Sequence, residues 1–223
     1  MKLLLIKETN NETSQFYYLP NFLNRNEVAN ILGWLESIDD FSENSSFNNN
    51  KVARYQKWFQ EEGVYFCPKW ENNYKRWEAF LYDKALEKIQ KNVLDKLGSY
   101  NLDKIGINIP YINSCLVNKY PTGKHYIKPH RDTELSFGKE PVIIGISIGS
   151  PRELKFNRLL YNGTNKFLSK KDKQNKHLNF SYKLESGSVF IMSGSSQKYW
   201  SHEVPPCIDA GCRYSLTFRH HNA

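Results

Sequence analysis

From residue 113 onward the chain breaks into short runs of period-two patterning separated by turn residues, and few folds accommodate that. Candidate strands cover 113–120, 125–130, 141–149, 152–158, 177–184, 187–193, 198–204 and 213–219. Eight strands at this spacing predict a barrel or a double-sheet jelly roll. The first half reads differently. Gln15-Phe-Tyr-Tyr-Leu19 is a short strand running into Pro20. Asn24 offers a helix N-cap with Glu27 three positions on, close to a capping box. Val28, Ile31, Leu32, Leu35 and Ile38 follow at helical spacing and predict an amphipathic helix over 25–38. A second helix is expected from about 83 to 97, on the stripe Leu86, Ile89, Val93, Leu94 and Leu97, with Gly98 as its stop. Residues 41–51 carry no periodicity and are expected as a mobile loop. Helices first and strands later give an α+β, mainly β class, a sheet core with helices packed on one outer face.

The 223 residues suffice for one well-buried domain. No run of 18 apolar residues is present, so no membrane span is expected. Met1-Lys-Leu-Leu-Leu-Ile-Lys7 is too short an apolar run for a secretion signal. An intracellular protein, cytoplasmic or nuclear, is expected, with Cys67, Cys115, Cys207 and Cys212 as reduced thiols. Net charge is +8 and 14% of residues are aromatic. That pairing suits a partner with phosphates to neutralise and bases to stack, and equally suits an aromatic core beneath a lysine surface. The segment Ser169-Lys-Lys-Asp-Lys-Gln-Asn-Lys176 reads as a solvated hairpin tip.

The chemistry concentrates late in the chain. His130-Arg-Asp132 sets an imidazole and a carboxylate two residues apart, on one face of a strand end. His202 is the best candidate for a third ligand; His125, His177, His220 and His221 are rivals, the last two at a C-terminus where exposure is expected. Two histidines and a carboxylate make the facial triad of non-haem Fe(II) oxygenases. Arg213-Tyr-Ser-Leu-Thr-Phe-Arg219 then places both arginines on one strand face with Ser215 and Thr217, while Tyr214, Leu216 and Phe218 point the other way to pack. Each guanidinium fork matches one carboxylate, so the pair suits a dianion. Beside a triad, 2-oxoglutarate is a dianion the pair can hold, its keto-acid end free to chelate iron. Asn118 and Tyr120 share a strand face and are candidates to complete the pocket.

Six pieces occur in one order between residues 113 and 219: Asn118-Lys-Tyr120, His130-Arg-Asp-Thr-Glu134, Ile146-Ser-Ile-Gly-Ser-Pro-Arg152, Gly187-Ser-Val-Phe-Ile-Met-Ser-Gly194, Gln197-Lys-Tyr-Trp-Ser-His202 and the Arg213–Arg219 strand. Together they resemble the AlkB family of 2-oxoglutarate and Fe(II)-dependent dioxygenases, most closely its DNA-repair branch. The resemblance implies a double-stranded β-helix over 113–223, with N-terminal helices and a nucleotide-recognition lid in 1–112, the whole forming one catalytic domain. It implies iron on His130, Asp132 and His202. It implies Arg213, with Asn118 and Tyr120, on the distal carboxylate of 2-oxoglutarate, and Arg219 on the carboxylate at the iron end. It puts Glu134 near the target base and Arg152 among the substrate contacts. Where the repair branch has Asn this chain has Ser215, a shorter hydroxyl that still hydrogen-bonds the co-substrate pocket but leaves the substrate open.

The reaction implied couples decarboxylation of 2-oxoglutarate with O₂ to hydroxylation of an N-methyl group, which leaves as formaldehyde, with succinate and CO₂. The partner implied is alkylated DNA or RNA, met by a monomer. A base reaches a buried site only by leaving its stack. The aromatic and basic stretch at about 51–78 is the expected lid, with Tyr55, Trp58 or Phe59 as the stacking or wedge residue. Two alternatives stand beside this reading: the same chemistry on a protein or small molecule, and a non-catalytic nucleic-acid-binding module.

Overall fold

The computed structural model describes residues 2–8, 11–45, 51–71, 75–159 and 179–222. The lysine-rich stretch at 169–176, His177 and Tyr74 lie outside them. Two antiparallel four-stranded sheets form the centre. One runs β6 (Ile127–His130), β11 (Trp200–Val204), β8 (Arg152–Arg158), β9 (Phe180–Leu184). The other has at its middle β10 (Ser188–Gly194), β7 (Ile143–Gly149), β12 (Arg213–Arg219) and β5 (Ser114–Tyr120). These eight are the strands expected from the period-two half, and they make a jelly roll.

The larger sheet does not stop there. β2 (Thr13–Leu19) pairs with β10, and β1 (Lys2–Lys7) covers β2. On the other side β4 (Lys51–Gln60) pairs with β5, and β3 (Ser42–Ser45) with β4, giving eight strands. The sequence reading missed β1 and expected a loop across β3. Both are edge strands, where one unpaired side and a solvated face weaken any alternation. Along β1 Leu4 and Ile6 are half-buried while Leu3 and Leu5 are exposed, but the unbroken apolar run Leu3–Ile6 hides that alternation in the sequence. The front of the expected lid, 51–60, is therefore sheet, and the sheet core is not confined to residues after 112.

The two faces of this sheet carry two apolar cores. The outer face packs against α1 (Arg25–Ser37) and α2 (Lys84–Gly98), where Ile31, Leu35, Leu86, Val93 and Leu97 meet Ile144, Ile146, Val189, Leu216 and Phe218. The capping box at Asn24 and Glu27 is formed, and Asp83 caps α2 through the Leu86 N–H. Between the sheets lie Phe16, Tyr120, Phe156, Phe190, Met192 and Trp200. Gly149, at the crossing from β7 to β8, has φ +94, and a Cβ there would stand 2.6 Å from the Cys212 carbonyl oxygen, so this corner beside Arg213 requires glycine.

Among the described residues no helix is long and apolar enough to cross a membrane. The four cysteines are free thiols.

Candidate active site

The space between the sheets opens into a cavity of about 440 Å³ whose lining includes His130, Asp132, His202, Arg213 and Arg219. His130 ends β6 and faces His202 of β11 directly in antiparallel register, their ring centroids 4.3 Å apart. Asp132 follows in the loop before α3 (Glu134–Phe137). One nitrogen from each histidine and one Asp132 oxygen all lie within 4.8 Å of one another. The Nδ1 of His130 donates to the Lys128 carbonyl at 2.9 Å, which leaves Nε2 as the free acceptor.

Burial holds both imidazoles neutral, at His202 down to about 3, and a proton on His130 would lower it further. At His130 burial dominates and Asp132 opposes it. Burial works against charge at Asp132, yet Arg219 and the two imidazoles hold its carboxyl below the ordinary range. Two neutral imidazoles beside an ionised carboxylate form the donor set that a divalent cation requires, and the buried Nδ1 of His202 has no partner among the described residues. The residues fit Fe(II).

A pH dependence follows. In the unfolded chain these imidazoles titrate near ~6.5. Below that pH the unfolded state binds protons that the folded state refuses, so stability is full above about 6.5 and declines as pH falls. The apparent Tm of metal-free protein should drop between pH 7 and 5, and His202→Leu should flatten that slope. Asp132 adds a separate loss at lower pH, below its unfolded value of ~3.9. A wild-type melting profile flat from pH 7 to 5 would show that the imidazoles accept protons in place.

Alternation along β12 divides its side chains as expected. Tyr214, Leu216 and Phe218 enter the core under the helices; Arg213, Ser215, Thr217 and Arg219 line the cavity. Arg219 forks Asp132 through Nε and Nη2, both at 3.0 Å, with the two side chains 4% and 5% exposed. Arg213 is also buried. Its Nη2 donates to Ser147 Oγ at 2.8 Å, its guanidinium lies 5.1 Å from the Tyr120 ring, and its Nε and Nη1 have no partner among the described residues. A buried guanidinium with idle N–H groups is a seat for an anion.

A polar row crosses the sheet beneath that seat. Gln56, Asn118, Ser215, Ser147 and Ser188 stand in register on β4, β5, β12, β7 and β10. Asn118 donates to Ser215 Oγ at 3.5 Å and accepts from Arg54 Nε at 2.7 Å. The sequence reading took Arg54 as part of the lid stretch and Ser147 as part of a motif, not as members of this row. The signal was present for Arg54, since Arg54, Gln56, Trp58 and Gln60 alternate inward along β4, each of them buried.

Several sequence expectations need correction. Trp58 and Phe59 are 0% and 5% exposed and do not line this cavity: Trp58 packs on Phe66 and Phe137, and Phe59 joins the core under the helices. Tyr55 is half-buried with its ring 6.0 Å from His125, also off the cavity. On this strand Trp58 and Phe59 are buried on opposite faces, so both are consumed by packing. The aromatics of the expected lid that reach the cavity come after the strand, from the loop and the short turns Pro68–Trp70 and Lys75–Trp77: Phe66, Trp70 and Trp77. Phe66 stacks on Trp70 at 9° and lies 4.2 Å from Trp77.

Arg152 does not line the cavity either. It is 1% exposed, gives Nη2 to the carbonyls of His125 and Pro205, and sits 5.8 Å from the Tyr120 ring, bracing the loops next to β6 and β11. Glu134 is exposed and borders an adjoining cleft with Arg131 and Lys139 rather than the cavity itself. His221 is buried, not exposed; its Nε2 donates to the Phe66 carbonyl at 3.1 Å, so the chain end holds the aromatic loop.

The comparisons agree with this geometry. A family model described as the 2OG-Fe(II) oxygenase superfamily matches residues 15–219. The chain belongs to that superfamily. It is therefore a dioxygenase that uses Fe(II), 2-oxoglutarate and O₂. Part of the chain is also similar to curated proteins with AlkB-related names. It is 30% identical over 122 residues to the DNA oxidative demethylase ALKBH2 of Arabidopsis thaliana, covering 48% of this chain and 37% of that protein. It is 30% identical over 114 residues to the alpha-ketoglutarate-dependent dioxygenase alkB homolog 3 of Homo sapiens, covering 48% and 36%. Each match thus spans little more than a third of the relative's length. Among solved structures, OsALKBH1 superposes with a TM-score of 0.59 at 19% identity, covering 98% of this chain and 100% of that one. A prolyl hydroxylase from Trichoplax adhaerens in complex with a hypoxia-inducible-factor peptide gives 0.52 at 15%, covering 92% and 83%. At such identities these two speak to the fold alone.

Proposed function

We propose that this dioxygenase oxidatively demethylates N-alkylated bases, such as 1-methyladenine and 3-methylcytosine, in DNA or RNA. The observation that carries the reading is the aromatic ledge of Phe66, Trp70 and Trp77 on the same cavity as the His-Asp-His cluster. A flipped base needs a π-face to lie on while its methyl reaches the oxidising centre. Exposed Lys69, Lys128 and Arg131 flank that ledge and supply phosphate contacts. The names of the curated relatives point the same way.

In this reading His130, Asp132 and His202 hold Fe(II). When bound with 2-oxoglutarate and O₂, the iron supplies the oxidising equivalent that hydroxylates the methyl carbon. The rest falls to the chain. Arg213, with Tyr120, Asn118 and Ser215 around it, takes the distal carboxylate, and Arg219 meets the carboxylate at the metal end. Apolar Ile143, Leu154, Phe190 and Met192 keep the cavity dry behind them. The hydroxymethyl adduct leaves its nitrogen as formaldehyde without a protein nucleophile.

The test is succinate formation across a panel of methylated single- and double-stranded DNA and RNA oligonucleotides. Iron-dependent stimulation by a methylated over an unmethylated oligonucleotide is expected. Stacking on an aromatic contributes roughly 1–3 kcal/mol per base. Trp70→Ala should therefore raise KM for the oligonucleotide about 5- to 150-fold, leaving slow substrate-free 2-oxoglutarate turnover unchanged. If no methylated oligonucleotide alters turnover, the nucleic-acid assignment falls and a protein or small-molecule substrate takes its place.

A further inference from the structure

The geometry points to Gln197 as a positioning residue for the Asp132 arm of the metal site; this rests on the reading that His130, Asp132 and His202 bind the metal. Gln197 lies in α4 (Ser196–Tyr199), the turn between β10 and β11, five residues before His202. It is 6% exposed. Its Oε1 accepts the Asp132 backbone N–H at 2.9 Å, and its Nε2 donates to the Met192 sulfur at 3.6 Å. Its own carbonyl accepts Arg131 Nη1 at 3.4 Å. One residue therefore contacts both residues that follow His130, as well as β10.

The reason such a clasp is needed lies in the ladder. β6 ends at His130, where it faces His202, so Asp132 falls beyond the strand and no neighbouring strand takes its N–H. A backbone donor at that depth needs an acceptor. The Gln197 carboxamide supplies it, continuing the ladder by one bond with a side chain. The amide can stand only one way round, because reversal would oppose its NH₂ to the Asp132 N–H and its oxygen to a thioether. Arg219 holds the carboxylate of Asp132 from the other end. Main chain and side chain are thus fixed by separate partners, and the His-x-Asp spacing becomes a rigid pair of donors. Partners of this kind are worth about 10- to 100-fold in metal affinity.

The experiment measures Mn(II) binding to the metal-free protein by the loss of the free-ion EPR signal, a readout independent of turnover. Gln197→Met keeps length and removes the acceptor. It should weaken Mn(II) binding about 10- to 100-fold and lower the urea unfolding midpoint of the metal-free protein only modestly, because one backbone N–H loses its acceptor. Gln197→Glu retains an acceptor oxygen and should bind Mn(II) within a few-fold of wild type (or tighter). If Gln197→Met does not fold, Gln197→Asn withdraws the acceptor at smaller cost in packing and should show the same loss. Wild-type affinity in the folded acceptor-deficient variants would overturn the inference, as would equal loss in Gln197→Met and Gln197→Glu. A wild-type protein that takes up no Mn(II) would instead sink the metal reading beneath it.

Discussion

Replacing Asp132 by alanine is expected to remove metal uptake and to destabilise the metal-free protein as well, whereas His202→Ala should do only the first. The asymmetry comes from Arg219, whose fork on Asp132 is a buried ion pair. Deleting one partner of such a pair leaves an uncompensated charge and costs about 3–5 kcal/mol. His202 has no comparable dependent: its Nδ1 is already without a partner, and its burial disfavours protonation rather than neutralising a charge. Both variants should fail to bind Mn(II) and lose 2-oxoglutarate turnover beyond the roughly 10- to 100-fold attached to an outer partner. Urea denaturation of the metal-free proteins separates them. Equal stability of Asp132→Ala and wild type would mean that the Arg219 guanidinium finds water or another acceptor once the carboxylate is gone.

The second large effect runs in opposite directions for stability and function. Arg213 is buried with two idle N–H positions, a state that costs free energy until an anion arrives. Arg213→Met should therefore leave the metal-free, co-substrate-free protein as stable as wild type or more so. At the same time 2-oxoglutarate should lose about 2–5 kcal/mol of binding, a rise in its dissociation constant of roughly thirty-fold to several thousand-fold. The thermal stabilisation that 2-oxoglutarate gives wild type should vanish with it. Raised stability without weakened co-substrate binding would show that the guanidinium serves the fold, not the anion.

Legibility in the sequence tracked how many constraints each segment satisfies at once. Most of the eight central strands were readable because they bury at least one face, and β12 most of all, since its alternate residues serve two different interiors. The triad and the arginine pair were readable for a related reason: scarce residue types at fixed parity. The edge strands β1 and β3 satisfy fewer constraints and left little pattern. The aromatic segment misled because composition names the residue types and not their neighbours. Trp58 and Trp77 look alike in sequence, yet the first is locked into a strand and the second stands at the end of a short turn over the cavity. Gln197 was visible as part of a motif, but its partner is a backbone N–H sixty-five residues away, which no local pattern encodes.

The two-sided character of β12 has a consequence for fidelity. It pairs with β5 along its full length on one side and with β7 from Arg213 to Phe218 on the other. A slip of one residue against these neighbours would send Arg213 and Arg219 under the helices and Leu216 and Phe218 into the cavity. No such misassembled chain could seat 2-oxoglutarate, and none could hold Asp132. Occupancy by the co-substrate is then also a proofreading signal: a molecule that binds it has already passed inspection of its central strand, and ligand-induced protection from proteolysis will count correctly assembled molecules rather than merely compact ones.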